Sequence, residues 1–331
     1  MTDSRGMVLR NVYERGSNVY TAFCDFSKAF DKISHHGLFL KLMDRNVPLC
    51  FLLVIIFWYL NMEYECKWGN SYSSRFAVLC GTKQGGILSP DFFSVYIDDL
   101  IMILRPTGIG CHIMQRFLAC ILFADDMTLL SPTRHGMQLL LNKCAEYCKK
   151  FCLQFNVGKT KIMPFGKIAS SPEDIAPLNL NGVALELVSS YRFLGFITLS
   201  GVCFRFSATE CLRGFFGAVN SVLTVLTRPN EDVLMRLLYS NCVPKLTYGA
   251  AVKDLSAADK HSYSVALNNA IRRIFGFRYY QSIRQLQEVY QFNSIEVLFA
   301  KARKRFYHSI ANHSNELLRF LFLLTVEVDD L

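Results

Sequence analysis

Two signatures are missing from this 331-residue sequence, and each absence argues against a class of protein. None of the 12 cysteines stands in a C-x-x-C pair, so ribbon-type and knuckle-type zinc sites are not expected. The segment from Met1 to Arg15 is polar and charged, unlike a secretory signal peptide. Unpaired cysteines without a secretion signal are typical of a reducing intracellular compartment, with the choice between nucleus and cytoplasm left open.

Long apolar runs are also scarce. The run LCFLLVIIFWYL at 49–60 carries no charge, but as a helix it rises about 18 Å, short of the roughly 30 Å hydrocarbon thickness of a bilayer. Pro48 precedes this run, and Asn61 and Glu63 follow it. We therefore expect a helix that is buried on all sides or docked beneath a sheet, and not a membrane span.

The residues that are present describe a folded, basic protein. Hydrophobic side chains make up 51% of the sequence, enough to fill a large core and to exclude a disordered chain. The length suits two compact domains, or one domain with a large appendage. The 36 Lys and Arg residues against 27 Asp and Glu give a net charge of +9, which indicates a polyanionic partner, either nucleic acid or acidic lipid.

Short apolar segments alternate with helical patterns over the first two hundred residues. We predict strands at 18–26, 64–68, 75–79, 118–130 (two arms around an acidic pair), 178–188 (a hairpin turning at Asn181-Gly182) and 191–200. We predict helices at 27–45 (capped by Ser27), at 49–60, after Pro90, and at 137–155, where Cys144, Cys148 and Cys152 share a buried face. The sequence thus predicts an α+β domain over residues 1–205, followed by a helical, basic region over residues 206–331.

Three aspartates have unusually apolar neighbours. Asp25 closes NVYTAFCD, and Asp125 and Asp126 lie between ILFA and MTLL. Since adjacent residues of a strand face opposite sides, the Asp125-Asp126 pair can serve one site only at a hairpin tip. Close carboxylates repel unless a divalent cation neutralises them, and oxygen-only ligation favours Mg²⁺ or Mn²⁺ over zinc. A solvated Asp-Asp turn is the alternative.

Five segments give the three aspartates a context. They are CDFSKAFD (24–31), GTKQGGILSP (81–90), LFADDMTLL (122–130), NVGKTKIMPFG (156–166) and YRFLGF (191–196). In order and spacing they resemble the palm motifs, lettered A to E, of reverse transcriptases, in particular those of non-LTR (LINE-type) retrotransposons. The resemblance covers residues 18–200, and a weaker similarity to the thumb of those enzymes continues through 239–250 and 269–277.

The resemblance implies a right-hand polymerase palm, an antiparallel sheet backed by helices, followed by a helical thumb and C-terminal region. It implies an RNA-directed DNA polymerase that uses an RNA template, a DNA primer and deoxynucleoside triphosphates. Asp25 and Asp125 match the metal-binding carboxylates of the family, and Asp126 matches the third acid. Two Mg²⁺ or Mn²⁺ ions would serve in-line attack on a phosphate, one at the attacking hydroxyl and one at the leaving oxygens.

Other positions match substrate contacts of the family. Phe30 matches the aromatic beneath the incoming sugar, where a flat ring leaves no room for a 2′-hydroxyl; a core aromatic at a helix start is the alternative. Gln84 and Gly85 match the loop that contacts the incoming nucleotide and the template. The turn that grips the primer end is matched by Phe193, Leu194 and Gly195.

A lysine near the leaving pyrophosphate is a candidate general acid in the family. Lys159 and Lys161 both fall in that region; we assign Lys161 to nucleotide binding and leave open which of the two donates a proton. A solvated lysine is the alternative for each. The adjacent GKT does not complete a phosphate-binding P-loop, because position 153 is Leu153 and not the required glycine.

Cations and aromatics are interleaved near the C-terminus. The cations assigned to nucleic-acid binding are Arg272, Arg273, Arg278, Lys301, Arg303, Lys304 and Arg305. The aromatics among them are Phe275, Phe277, Tyr279, Tyr280, Tyr290 and Phe306. Such a pattern is typical of a surface that meets phosphates and stacks on bases, although solvated arginines beside core aromatics would give the same pattern.

The sequence also departs from the family pattern. Only 24 residues precede Asp25, so we expect the fingers to be largely missing, and we expect neither an endonuclease domain nor a Cys/His knuckle. This predicts the palm and thumb of a longer polyprotein or a decayed copy of an element. Two alternatives to an active polymerase stay open: an inactive remnant that binds nucleic acid, and a membrane-surface protein built around residues 49–60. The oligomeric state is left open.

Overall fold

The computed structural model describes residues 18–113, 116–171, 175–202, 205–225, 230–251 and 255–325. They fall into two compact units, divided along the chain between Ser189 and Ser190. The predicted functional division after residue 205 lies later in the chain and stays a prediction.

The first unit contains thirteen strands within the described residues. They are β1 (Val19–Asp25), β2 (Glu63–Tyr64), β3 (Lys67–Trp68), β4 (Ser71–Tyr72), β5 (Phe76–Ala77), β6 (Cys111–Ile113), β7 (Arg116–Leu118), β8 (Cys120–Phe123), β9 (Asp126–Ser131), β10 (Lys161–Phe165), β11 (Asn179–Leu180), β12 (Val183–Ala184) and β13 (Glu186–Leu187). Five of them form the main sheet, in the order β13-β10-β1-β9-β8. Its neighbours are antiparallel except β13, which runs parallel to β10.

Five α-helices accompany this sheet in the described part of the first unit. They are α1 (His35–Asp44), α2 (Leu49–Leu60), α3 (Ser89–Ile97), α4 (Asp99–Leu104) and α5 (Arg134–Lys150). Alternate side chains of β1 and β9 enter one core with the apolar face of α5, including Ala22, Cys24, Leu129, Leu140 and Cys144. Successive side chains of a strand point to opposite faces of the sheet, so Asp25 and Asp126 lie on the face opposite to Cys24 and Met127.

Two helix boundaries differ from the predictions. Ser27 does not cap a helix, because Lys28 adopts a left-handed conformation (φ 50°) and a short 3₁₀ turn, Ala29–Lys32, follows. The helix begins later, where the Ser34 hydroxyl accepts a hydrogen bond from the amide of Gly37. At the other boundary, α5 ends at Lys150, and Cys152 is exposed with φ 56°, so it does not share the buried face of Cys144.

Of the two alternatives predicted for α2, burial on all sides is wrong, and docking beneath a sheet stays a prediction. Only Leu52 and Tyr59 are buried, because one side of the helix contacts α1 and α3 and the other side faces away from the core of its unit. The exposed apolar residues of this helix are Leu49, Phe51, Leu53, Val54, Phe57, Trp58 and Leu60. Within the described residues, no helix combines the length and apolarity that crossing a bilayer requires.

The second unit begins with a small sheet and continues as helices. Its strands, β14 (Ser190–Phe193), β15 (Phe196–Leu199) and β16 (Arg205–Phe206), form an antiparallel sheet in that order. The segment 191–200, predicted as one strand, is therefore a hairpin with its turn at Leu194-Gly195. By contrast, the predicted hairpin at Asn181-Gly182 in the first unit is confirmed, with positive φ at both turn residues.

The helices of the second unit form its core. Within the described residues they are α6 (Ala208–Val225), α7 (Glu231–Leu237), α8 (Val243–Thr247), α9 (Ala257–Ile274), α10 (Arg284–Tyr290), α11 (Ile295–Ala311) and α12 (Glu316–Thr325), with a π-helical turn at Leu238–Cys242. Their shared core includes Phe215, Leu246, Tyr263 and Ile271. The predicted fold class, a mainly antiparallel sheet backed by helices and followed by a helical region, is confirmed.

Candidate active site

The three aspartates lie at one end of the main sheet. Asp25 is the last residue of β1 and Asp126 the first of β9, and the two are paired directly across the ladder. Directly opposed residues of antiparallel strands have Cβ atoms about 4.5–5.5 Å apart. Asp125 lies in the two-residue turn that joins β8 to β9, since Phe123 pairs with Asp126. The fold therefore brings together acids that are 100 residues apart in sequence.

The turn before Asp125 is strained. Ala124 has φ 48°, in the left-handed region that glycine normally occupies at the first position of such a hairpin turn. For a residue with a Cβ atom this costs about 1–2 kcal/mol. The reversal is tight enough that Asp125 is at the tip while Asp126 is already in the strand ladder.

The loop between α5 and β10 wraps around the end of β1. The amide of Asn156 donates to the carbonyl of Asp25 at 2.8 Å, and the amide of Asp25 donates to the Thr160 hydroxyl at 3.4 Å. Thr160 is buried, and its own amide donates to the carbonyl of Asn156 at 2.8 Å. These bonds fix the backbone that carries the Asp25 carboxylate, which is 25% exposed.

The two candidate lysines have different partners. The Lys159 ammonium lies 3.6 Å from the Asp25 carboxylate and is 69% exposed. The Lys161 ammonium, at the start of β10, lies 2.5 Å from the Glu186 carboxylate of β13 and is 20% exposed. The structure therefore places Lys159 at the predicted catalytic carboxylate, and Lys161 in an ion pair between strands.

A glycine-rich loop brings the predicted nucleotide-binding residues together. The amides of Gly81 and Thr82 donate to carbonyls of the segment after β1, that of Thr82 to the Phe30 carbonyl at 2.7 Å. The side-chain amide of Gln84 donates to the Asp31 carboxylate at 3.0 Å, and this bond holds Gln84 close to the segment that carries Phe30. Gln84 and the following Gly85 are exposed.

The Phe30 ring is half-buried. It packs against Phe93 of α3, with ring centroids 5.2 Å apart. The ring therefore has a core contact on one side and retains an accessible part, so both predicted roles of Phe30 stay predictions.

Sequence reasoning missed three residues that organise this site. Asn156 and Thr160 hold the end of β1, and Asp31 holds Gln84. Asn156 begins the turn sequence NVGK, and its side-chain oxygen accepts from the Lys159 amide at 3.3 Å, the local bonding that makes Asn frequent in turns. That turn signal was present in the sequence, whereas its proximity to Asp25 depends on strand pairing.

Two cysteine thiols of the main sheet, Cys24 of β1 and the half-buried Cys120 of β8, are poor nucleophiles. Cys24 precedes Asp25 but points to the opposite face of the sheet, into the core. Burial raises the pKa of the Cys24 thiol well above its usual range, and burial raises the pKa of Cys120 to about 12. Both thiols are therefore protonated at neutral pH, and the chemistry of this sheet end belongs to its carboxylates.

The donor set fits a hard divalent cation, on which the family depends. All three candidate ligands are carboxylates, the oxygen donors that Mg²⁺ prefers. No group of three or more His, Cys, Asp or Glu side chains in the described part of the chain is arranged to hold a metal ion by itself. Mg²⁺ is commonly bound by one or two carboxylates while substrate phosphates and water complete its shell, so such a site does not need three protein ligands.

The predicted primer-grip residues lie in the second unit. Phe193 is buried at the end of β14, Leu194 is half-buried, and Gly195 is exposed. The turn has the same two-residue form as an Asn-Gly hairpin, with φ 50° at Leu194 and 81° at Gly195.

The predicted nucleic-acid-binding cations differ in what they contact. Arg272 donates to Asn269 and to the Gln281 carbonyl, and Arg273 donates to Asn220 of α6. These two arginines thus connect parts of the helical unit. Lys304 and Arg305 of α11 are exposed.

The other cations and aromatics occupy two segments of the same unit. Lys301 is exposed and donates to Asn293 at 2.9 Å, while Arg303 is half-buried. Arg278 donates to the Tyr280 hydroxyl at 3.0 Å, in a loop where the side chains of Tyr279 and Tyr280 are 84% and 63% exposed. These tyrosines are therefore accessible for stacking.

Comparisons with known proteins identify the family. The family model for reverse transcriptase (RNA-dependent DNA polymerase) matches residues 3–198. The chain is 26% identical over 310 residues to a probable RNA-directed DNA polymerase from transposon BS of Drosophila melanogaster, aligning 90% of this chain and 33% of that protein. It is 23% identical over 312 residues to the RNA-directed DNA polymerase from mobile element jockey of Drosophila funebris, aligning 91% and 33%.

The chain spans about a third of the length of these relatives. Among solved structures it is similar to apo telomerase from Candida tropicalis, with 10% identity, a TM-score of 0.47, and 97% of this chain and 56% of that chain covered. The resemblance to enzymes of non-LTR retrotransposons is confirmed by the sequence relatives. Since the family model matches more than half of its residues, the chain belongs to the reverse transcriptase (RNA-dependent DNA polymerase) family.

Proposed function

We propose that this chain is the catalytic core of an RNA-directed DNA polymerase that adds deoxynucleotides to a primer 3′-hydroxyl on an RNA template. The observation that carries the proposal is the acidic end of the main sheet, where Asp25 is paired with Asp126 and Asp125 forms the hairpin tip. Family membership supports the same chemistry.

In this proposal the three carboxylates, together with the phosphates of the nucleotide, would hold two Mg²⁺ ions, which Mn²⁺ could replace. When bound, the ions would activate the primer hydroxyl and stabilise charge on the leaving pyrophosphate. The reaction joins the primer 3′ oxygen to the α-phosphorus of the nucleotide and breaks the bond from that phosphorus to pyrophosphate. The bonds from Asn156 and Thr160 to the end of β1 keep Asp25 in place while this occurs.

The remaining roles follow from placement around Asp25. Lys159 is the better candidate for protonating pyrophosphate, because its ammonium is exposed and lies beside the Asp25 carboxylate, whereas Lys161 is occupied by Glu186. The half-buried ring of Phe30 excludes a 2′-hydroxyl. Gln84 and Gly85 contact the nucleotide and template from the adjoining loop.

Primer extension on an RNA template tests the proposal. We expect the intact chain to incorporate deoxynucleotides with Mg²⁺, and Asp125→Ala to lose at least about 10³-fold in rate, since a metal ligand is removed. Asp44→Ala is the matched control, because Asp44 is an exposed acid of the same unit at the end of α1. Equal extension by the wild type and Asp125→Ala would reject the site.

A second candidate function is binding of nucleic acid without catalysis. It is favoured by the exposed cations of α11, Lys301, Lys304 and Arg305, which do not depend on the acidic site. This candidate requires salt-sensitive binding to a primer–template that survives Asp25→Ala, with no nucleotide incorporation by the wild type. Incorporation by the wild type would exclude it.

A further inference from the structure

The turn between β14 and β15 holds a leucine in an unfavourable conformation. Two-residue turns with positive φ at both positions are usually built from Asn-Gly, but here the first residue is Leu194, with φ 50°. Its Cβ atom crowds the backbone in this region, so the conformation persists only where neighbouring groups fix it.

Tyr248 supplies contacts on both sides of this turn. Its hydroxyl donates to the Leu194 carbonyl at 2.9 Å. Its ring stacks on Phe196, with centroids 4.7 Å apart and planes inclined by 17°. It also lies against Gly195, where an added Cβ atom would be 3.1 Å from the Tyr248 ring. One side chain therefore touches both residues of the turn and the first residue of β15.

The backbone around Tyr248 is shaped for this contact. Tyr248 directly follows α8, and its amide donates to the Pro244 carbonyl at 2.9 Å. The next residue, Gly249, has φ 67°, and a Cβ atom there would be 2.2 Å from the Phe196 ring. Since no side chain fits at that distance, only glycine lets the chain pass over Phe196 while Tyr248 covers the turn.

A cavity borders the turn on the side of Gly195 and Phe196. Tyr248, Gly195 and Phe196 line a cavity of about 550 Å³ that reaches Arg192 on the hairpin and Lys245 on α8. Tyr248 is 42% exposed, so it contributes less to the core than a buried aromatic does. A half-exposed ring that clamps a strained turn beside open space is better explained by positioning than by core packing.

We propose that Tyr248 is a positioning residue that holds the Leu194-Gly195 turn in the conformation that grips the primer end. The proposal rests on the proposed polymerase function, because a grip on the primer has meaning only for an enzyme that extends it. It adds Tyr248, which lies 54 positions from Leu194 in sequence, to the three primer-grip residues that match the family motif.

Kinetics of primer extension test this role. Tyr248→Phe removes only the hydrogen bond to Leu194, and we expect it to raise the KM for primer–template about 3- to 10-fold, the equivalent of one hydrogen bond. Tyr248→Leu also removes the stack and should raise KM further. The kcat at saturating primer–template should stay within about two-fold. An unchanged KM for Tyr248→Phe, or a fall confined to kcat, would overturn the proposal.

Tyr239→Phe is the matched control. The Tyr239 hydroxyl likewise donates to a backbone carbonyl of the same unit, that of Asn293, at 3.1 Å, and it does not touch the turn. Tyr239→Phe should lower the stability of the protein about as much as Tyr248→Phe does, and it should leave the KM for primer–template unchanged. In the Tyr248→Phe background, Leu194→Asn should slow hydrogen–deuterium exchange at the Phe196 amide again, because asparagine tolerates the left-handed conformation. Absence of any recovery would show that strain at Leu194 is not what Tyr248 offsets.

A measurement without catalysis separates this proposal from the polymerase assignment. We expect hydrogen–deuterium exchange at the Phe196 amide to become faster in Tyr248→Phe and to remain unchanged in Tyr239→Phe. If the wild type extends no primer, the polymerase function fails whatever the exchange shows. If the wild type extends primers but exchange at the turn is equal in both variants, only the role of Tyr248 fails.

Discussion

Asp25 and Lys159 form an ion pair between residues that strand pairing brings together. Asp25 ends β1, and Lys159 lies in the loop that enters β10, the neighbouring strand. The pair is partly solvated, so it adds little stability. Asp126 is paired with Asp25 on the neighbouring strand, so in the proposed reaction an exposed cation at this end of the sheet can approach the leaving phosphates.

We expect Lys159→Ala to slow single-nucleotide incorporation at least about ten-fold, because loss of a general acid commonly costs 10²–10⁴-fold. The matched change is Lys161→Ala, two residues away, which should cost less than about three-fold since Lys161 is held by Glu186. Rapid-quench rates measured from pH 6 to 10 provide the comparison. A larger decrease for Lys161→Ala would instead identify Lys161 as the proton donor.

At the scale of the elements, a partly buried polar network connects four helices. The Lys41 ammonium of α1 donates to Asp99 of α4 at 2.6 Å and to the Tyr147 hydroxyl of α5 at 2.8 Å. It also lies 4.0 Å from the centroid of the Phe151 ring. Tyr147 in turn donates to the Tyr96 carbonyl of α3 at 2.7 Å. Desolvation lowers the pKa of Lys41 from its ordinary value, although Asp99 opposes the shift.

This lowered pKa predicts a pH dependence of stability. Between the folded pKa of Lys41 and its ordinary value the unfolded chain binds more protons, so the free energy of unfolding rises with pH there. Lys41→Met keeps the apolar stem and removes this titration. We expect its stability at pH 7 to lie within about 2 kcal/mol of the wild type, because removing a buried charge offsets the missing hydrogen bonds.

Urea unfolding at pH 7 and pH 10 measures the effect. The wild type should gain stability relative to Lys41→Met as the pH rises. Arg213→Met, which breaks the exposed pair with Glu210, is the control and should show no such change. A destabilisation of more than about 3 kcal/mol at pH 7 in Lys41→Met would instead show that the ion pair is net stabilising.

The elements also show how far the sequence predicts the fold. Local patterns placed β1 and the hairpin around Asp125 correctly, because apolar runs that end at acids specify strands and their tips. Ser27 and Ser34 both precede helix-like residues, and only the left-handed Lys28 and the turn after it decide between them. The prediction that α2 is buried on all sides failed for another reason. The sequence of an uncharged helix shows that the helix is apolar, but not which neighbouring elements cover it.

At the scale of the whole molecule, residues that act together are often distant in sequence. The acidic end of the sheet was predictable because each aspartate ends or begins an apolar strand. The contact of Tyr248 with Leu194 was not, since nothing in the local sequence of either residue signals the other. Likewise, Lys159 and Lys161 cannot be ranked from their spacing, because their partners lie on different strands.

The net charge of +9 predicts affinity for a polyanion, which in the proposed function is nucleic acid, and α11 offers exposed cations that can contribute to it. Lys304 and Arg305 are adjacent and exposed. We expect the double variant Lys304→Glu, Arg305→Glu to bind a primer–template more weakly. A plot of the logarithm of the binding constant against the logarithm of salt concentration should become less steep. Its slope should decrease in magnitude by about one for each phosphate that these side chains no longer neutralise.

The control for this surface is an equal change of charge elsewhere. Lys149 and Lys150 are an adjacent, exposed pair at the end of α5, so Lys149→Glu, Lys150→Glu alters the net charge by the same amount. Fluorescence anisotropy between about 50 and 300 mM salt gives both slopes. A local role of α11 in binding requires that only the first variant changes the slope. Similar decreases in both would show that the total charge of the molecule, and not this helix, attracts the nucleic acid.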